Sequence, residues 1–331
     1  FSVYKNDFWE YDPVSNSWLQ KADFPGAGRT NAVGFSVAGK GYIGTGRAGF
    51  NRTNDLYEYD PVSNSWQQRV NVGTTVRQSA IAFVVGNKAY IGTGAYPELN
   101  DLWEFDPSNN TILQKADFPG GARTDATAFS IGNLGYVGGG YASNFYKNDF
   151  WSYNPLTNSW LQLSDYGGRA RSRAVAFSID NKGYVGSGEA YSPKNDFWSY
   201  DPVLNNWSLV APVNGSPRNS PVCFSIGGKG YLGGGYDGTD TRTKLWEYDP
   251  LLNSWTQKSN IPGSKRYNSI VFVYNNKAYT GLGSEFQRDF WEYDPASNQW
   301  TRKADFGGTG RDFSVSFTIG SKGYVGTGRD L

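Results

Sequence analysis

An arginine and a tyrosine thirteen residues apart recur seven times: Arg29/Tyr42, Arg77/Tyr90, Arg123/Tyr136, Arg171/Tyr184, Arg218/Tyr231, Arg266/Tyr279 and Arg311/Tyr324. Each Tyr is followed by Gly-x-Gly; seven aromatic runs end at Asp-Pro or Asn-Pro, the first of them at 8–13 ahead of the first Arg, and six of the seven are followed by a Trp. Successive arginines lie 45 to 48 residues apart. A unit of this size holds four short strands and cannot bury its own apolar face, so the copies must stack, as a β-propeller or a solenoid. The 331 residues suffice for one ring, and the reading is a single domain over 1–331.

Strand A is expected in the run after each Arg, as in Arg29 to Val37. Small residues (Ala32, Gly34, Ser36) alternate there with larger ones (Val33, Phe35, Val37), the period of two of a strand. The sixth residue after the Arg is always Phe, at 35, 83, 129, 177, 224, 272 and 317. The expectation is that each Phe fills the space beside a small residue of the neighbouring blade. Pairs such as Ala38-Gly39 and Asn275-Asn276 mark two-residue A–B hairpins. Strand B is expected over 41–46 and its relatives, strand C over 7–11 and its relatives. A Pro-led C–D turn with Asn at 16, 64, 110, 158, 205, 253 and 298 follows. Strand D carries Trp18, Trp66, Trp160, Trp207, Trp255 and Trp300, with Ile112 as the exception. The chain starts at strand C and ends after strand B. The fold class is therefore all-β, a seven-bladed propeller of four-stranded antiparallel blades. N-terminal strands C and D (near 7–11 and 17–20) complete the sheet begun by C-terminal strands A and B (311–319 and 323–328), which removes a free edge.

Composition excludes several functions. The net charge of +1 gives no basic field for nucleic acid. No apolar run reaches the ~18 residues of a spanning helix, so no membrane insertion is expected. There is no His and one Cys, which removes a Ser-His-Asp triad, a disulfide and the usual transition-metal ligands. No metal and no cofactor are expected. Cys223 reads as a small packing residue. The turn Asp237-Gly238-Thr239-Asp240 has oxygen ligands for Ca²⁺ but reads better as a solvated turn. Two Gly-x-Gly-x-x-Gly stretches, from Gly44 and Gly233, precede strands rather than helices and do not read as nucleotide sites. The chain lacks Met and is expected to be a mature or excised segment of a larger chain, forming a monomeric propeller.

The glycine triplets Gly138-Gly139-Gly140 and Gly233-Gly234-Gly235, the downstream Tyr-Asp-Pro and the Trp six residues after that Asp resemble the Kelch-repeat propellers. Several copies have Gly-x-Gly where Kelch repeats often show a Gly-Gly doublet (Gly44/Gly46, Gly92/Gly94, Gly326/Gly328). The resemblance covers nearly the whole chain and implies the fold. Kelch propellers include oxidases, sugar epimerases and binding modules, so it does not select a function. It also implies that arginines in this position can line a partner-binding face. A likeness to secreted bacterial Kelch-like proteins suggests an extracellular or cell-surface setting.

Strands A and C run parallel within a blade, so the seven arginines should face the start of strand C. Those starts carry Asp7, Asp55, Asp101, Asp149, Asp196 and Asp289, with Lys244 in the Arg218 blade. One reading is a structural ring of Arg–Asp pairs; the other is an anion-binding mouth. The B–C loops open on the same face and break the repeat with Phe50, Tyr96, Glu98, Tyr141, Phe145, Glu189, Tyr191, Tyr236, Glu285 and Phe286. Just after the arginines, Asp125, Arg173, Tyr267, Asp312 and Phe313 depart from small polar residues. Aromatics set among charges suit recognition of a protein or glycan ligand. The expected function is thus a non-catalytic recognition module using the B–C face. One alternative is a metal-independent sugar mutarotase or epimerase with Glu98, Glu189 and Glu285 as acid/base groups. The other is a repeat scaffold, favoured by identical stretches such as 11–18 and 59–66.

Overall fold

The computed structural model describes residues 2–331. Seven four-stranded antiparallel sheets stand around a central axis, each in the order A–B–C–D, with the A strands of successive blades packed on one another at the centre. Blade 1 is Val33–Val37, Lys40–Gly44, Leu56–Asp60 and Ser65–Gln68. Blade 7 closes as expected: Val315–Ile319 and Lys322–Gly326 join Phe8–Asp12 and Ser17–Gln20, with Phe8 opposite Gly326 and Tyr11 opposite Gly323. A further two-stranded clasp, Val3–Tyr4 on Arg329–Asp330, was not anticipated from the repeat.

Strand A is shorter than the alternation implied. It starts at Val33, four residues after the Arg, because the second residue after every Arg has left-handed backbone: Asn31, Ser79, Asp125, Arg173, Ser220, Asn268 and Phe313, with φ from 50° to 54°. Strand B ends at Gly44 for a similar reason. The next two residues both have positive φ, 54° at Thr45 and 103° at Gly46. Thr93, Gly139, Ser187, Gly234, Leu282 and Thr327 repeat this conformation. Its cost without glycine explains why two blades have glycine there.

The Phe of each blade packs on the next blade, but against strand B rather than strand A. Phe317 meets Gly41, Phe83 meets Gly135, Phe129 meets Gly183, Phe177 meets Gly230 and Phe272 meets Gly323. In the other two interfaces the small residue is Ala89 or Ala278. The small strand A residue has a different neighbour: a Cβ on Gly34 would lie 2.7 Å from Val315. On the opposite face, Lys40, Lys182 and their equivalents after the A–B turns pair with the Asp that ends strand C, at 2.5 Å for Asp60 and 3.0 Å for Asp201.

Candidate functional site at the axial mouth

The repeat builds the mouth from backbone geometry. Each ring arginine sits where the D–A loop enters strand A, and its carbonyl accepts the N–H of the second doublet residue of the preceding blade. Gly46 donates to Arg77, Gly94 to Arg123, and so on until Gly328 donates to Arg29, so the chain of bonds closes around the axis. The left-handed residue two positions later then turns inward. Several such residues bond to one another: Ser79 N–H donates to Asn31, Asp125 N–H to Ser79 and Arg173 N–H to Asp125.

The arginines themselves do not line the mouth. All seven are at most 2% exposed. Six hold the Asp of their own blade, five of them through two bonds of 2.5 to 2.9 Å, as in Arg77 with Asp101 (2.6 and 2.7 Å) and Arg123 with Asp149 (2.7 and 2.9 Å), and Arg266 through one. Nη1 also donates to the first doublet carbonyl, for example Arg29 to Thr45 at 2.9 Å and Arg171 to Ser187 at 2.9 Å. Six of the seven guanidiniums are therefore buried on their own aspartates and present no free donor at the mouth, which favours the structural reading of the ring over the anion-binding one; Arg218 alone has no Asp partner among the described residues.

Most of the mouth is lined by the two residues after the Arg and the residue after the glycine doublet, with Tyr4, Tyr96, Pro97, Glu98 and Asn144 added in one lobe. Two lobes of about 560 and 500 Å³ share Asn31, Asp125, Arg173, Phe313 and Arg329. The first lobe adds Arg47, Tyr96, Glu98 and Tyr141; the second adds Glu189, Tyr236 and Tyr267. Arg47 and Arg329 were missed because they lie beside the glycines rather than in the B–C loop proper. The signal was present, since the residue after the doublet runs Arg47, Ala95, Tyr141, Glu189, Tyr236, Ser284 and Arg329.

Electrostatics across the mouth are mixed. Arg173 is exposed and reaches Asp125 at 3.8 Å. Burial pushes the Asp125 carboxyl above the ordinary carboxylate value, which Arg173 only partly offsets. Arg329 bonds Asp312 at 3.0 Å and lies over the Phe313 ring at 5.3 Å. Asp312 is buried beneath this pair and does not itself line either lobe. Glu189 accepts from Asn219 Nδ2 at 2.8 Å, and Glu98 accepts from the Ser143 N–H at 3.1 Å. Tyr236 and Tyr267 face each other with ring centres 5.7 Å apart.

The other expected residues lie outside the lobes. Phe50 and Tyr191 stand on the rim, 91% and 86% exposed, and Phe145 is exposed beside them. Tyr191 packs edge-on against Tyr146, which packs on Tyr141. Glu285 and Phe286 form a single 3-10 turn, Ser284–Phe286, and line neither lobe. The three loop glutamates therefore do not meet. The Asp237 turn is closed by bonds from Thr239 and Asp240 to Asp237 Oδ1 and by Arg242, while Lys265 holds Asp240. Cys223 donates to the Ala176 carbonyl, and burial pushes its thiol up to about 12, consistent with packing rather than nucleophilic chemistry.

Residues 98–220 match the KLHDC2/KLHL20/DRC7 Kelch-repeats domain, somewhat over a third of the chain. No curated protein matches it. Among solved structures, the one titled "Structure of YjhT" has 18% identity and a TM-score of 0.60, covering 76% of this chain and 93% of that one, a likeness of fold alone. The family match runs from the B–C loop of blade 2 to the start of blade 5, and the arginine, the doublet and the four strands recur in the remaining blades. The chain is a seven-bladed β-propeller, and residues 98–220 of it are similar to a Kelch-repeats domain.

Proposed function

We propose that this propeller is a recognition module whose axial mouth takes a protein loop bearing acidic side chains. One observation carries the reading: the positions lining the mouth are those at which the repeat stops repeating, whereas the arginine immediately before them is invariant within the chain. Arg47, Arg173 and Arg329 supply the cationic contacts, and Tyr96, Tyr141, Tyr236, Tyr267 and Phe313 supply rigid aromatic area. The opposite face carries near-identical Lys–Asp pairs and offers little to discriminate with. Kelch propellers typically bind proteins, which agrees with this choice.

The test is an acidic-peptide array beside a glycan array, followed by Arg173→Ala and Tyr267→Ala. Each variant should weaken peptide binding by about tenfold or more, as expected of anchor contacts. Melting temperatures should stay nearly unchanged, and binding should fall as salt rises. Contacts that map instead to Lys40 or Lys88 would overturn the assignment, and exclusive glycan binding would replace the ligand class.

A metal-independent mutarotase or epimerase is the second reading, and Asp125 is what favours it. A half-buried carboxyl with a raised pKa, beside an arginine in a cleft, is suited to proton transfer. Saccharide anomerisation that is lost in Asp125→Asn would support that reading over recognition.

A further inference from the structure

In five blades one carboxylate oxygen occupies the same seat. Asp7, Asp101, Asp149, Asp196 and Asp289 each place Oδ2 between the ring arginine's Nη2 and the Nε1 of the Trp two residues later. The indole bonds measure 2.6 to 3.0 Å, from Trp103 at 2.6 Å to Trp198 at 3.0 Å. Blade 5 keeps both donors and lacks the acceptor, because Lys244 stands where the Asp should be. Arg218 is 1% exposed and Trp246 is 5% exposed. Arg218 donates Nε to Ser216 and Nη1 to Gly234, at 3.2 and 3.0 Å, but its Nη2 has no carboxylate among the described residues. Trp246 Nε1 is buried without any acceptor among them.

Both donors still converge. A Cβ built on Gly215 would lie 2.8 Å from Arg218 Nη2 and 3.0 Å from Trp246 Nε1. The corresponding glycine of blade 4, Gly168, meets the same two donor types together with Asp196 Oδ2. Lys244 is exposed and its ammonium lies 6.0 Å from the Trp246 ring, so a second cation stands at the opening. The nearest acidic turn is engaged elsewhere: Asp237 with Arg242, and Asp240 with Lys265. Burial and the Arg242 charge push the Arg218 guanidinium down to about 10, the response of a cation left without its counter-charge.

We propose that blade 5 carries a carboxylate-binding seat, formed by Arg218 Nη2 and Trp246 Nε1 with Lys244 at its opening, which takes from outside the chain the group that six other blades supply internally. An unpaired buried cation and an orphaned indole N–H each cost stability, and one carboxylate satisfies both. The seat is separate from the axial mouth, whose lobes include none of its three residues. The carboxylate is either a free small acid or an acidic side chain presented by another protein.

The test is a titration of the ¹⁵N-indole resonances with sodium acetate at fixed ionic strength, with Trp246 assigned through Trp246→Phe. A saturable shift of that one indole resonance is expected. A second titration with a blocked peptide carrying a single Glu separates the sources: a response to acetate alone assigns free acids, and tighter binding of the peptide assigns a presented side chain. Lys244→Asp rebuilds the internal pair, so it should abolish the shift and raise the melting temperature by about 2 °C or more. No saturable shift, equal shifts of many indoles, or the same response to chloride would each overturn the proposal. Should Lys244→Asp fold poorly, Arg218→Gln in the same titration must remove the response for the proposal to stand.

Discussion

Charged side chains in this propeller are exchanged in sets. Five blades join the strand B Tyr to a strand C Glu and to a base at the end of strand D, as in Tyr42–Glu58 at 2.7 Å and Arg69–Glu58 at 2.8 Å. Where Ser152 and Ser199 replace the Glu, the base becomes the buried Leu163 or Val210. Where Leu134 replaces the Lys after the A–B turn, Asn154 replaces its Asp partner. Removing one partner of a buried pair costs about 3–5 kcal/mol, whereas exchanging both is often neutral. Lys244 is the exception, and that is why blade 5 stands out. The doublet position offers a test of strain at the same scale. Ser187 has φ 55° and a buried hydroxyl without a partner. Ser187→Gly should stabilise the fold by roughly 1 kcal/mol, since relief of left-handed strain and of an orphaned hydroxyl outweighs the added backbone entropy. Chemical denaturation would read this, and a loss of stability would show that the conformation is not strained. Asp125 tests the sign of a charge. Its folded pKa is raised, so its contribution to stability is full below the unfolded value near 4 and is lost as pH rises through the folded value. Asp125→Asn should therefore raise the melting temperature at pH 7, and the gain should shrink as the pH falls towards 4. A pH-independent gain would contradict the burial effect.

The C–D hairpin is the element that latches one blade to the next. In blade 1 the left-handed Asn64 accepts from the Tyr59 hydroxyl at 2.9 Å and from the Ala22 N–H at 3.0 Å, while Trp66 Nε1 donates to the Ala22 carbonyl at 2.8 Å. Six hairpins use these side chains; blade 2 has Phe105 and Ile112 instead. Its Asn110 Oδ1 is consequently buried without a partner. Phe105→Tyr should place a hydroxyl on that oxygen, as in the other blades, and add about 0.5–1.5 kcal/mol. A double-mutant cycle with Asn110→Ala would measure it, and equal stability with and without the hydroxyl would mean that the apolar cluster of Val70, Val72 and Trp103 has taken over the latch.

At the scale of the ring, closure joins residues 286 to 304 positions apart. Arg311 holds Asp7, with Nη2 at 2.7 Å, and Trp18 Nε1 donates to the Ala304 carbonyl at 3.0 Å. Deleting residues 2–20 would strip blade 7 of two strands, leave Arg311 unpaired and expose strand Lys322–Gly326 as a free edge. The truncated chain should aggregate on size-exclusion chromatography with light scattering. A soluble, cooperatively melting monomer would show that six complete blades hold the ring without the strands of the seventh.

The repeat alone determined the number of blades, the order of their strands and the way the ends join, because period-two alternation and turn chemistry are local and were present seven times over. It also marked Arg173, Tyr267, Asp125 and Phe313, which stand out against an otherwise regular register and do line the lobes. Which charges face the axis was decided only in three dimensions. The seven arginines are the most regular cations in the chain, yet packing buries all of them, six on their own aspartates, and Arg47 and Arg329 reach the mouth because two consecutive left-handed residues turn strand B towards it. Glu285 resembled Glu98 and Glu189 as a loop carboxylate, but a 3-10 turn carries it away from the lobes. Spacing along a chain places a residue on a strand or a turn; the direction of a loop side chain depends on φ values and neighbours set by the assembled ring.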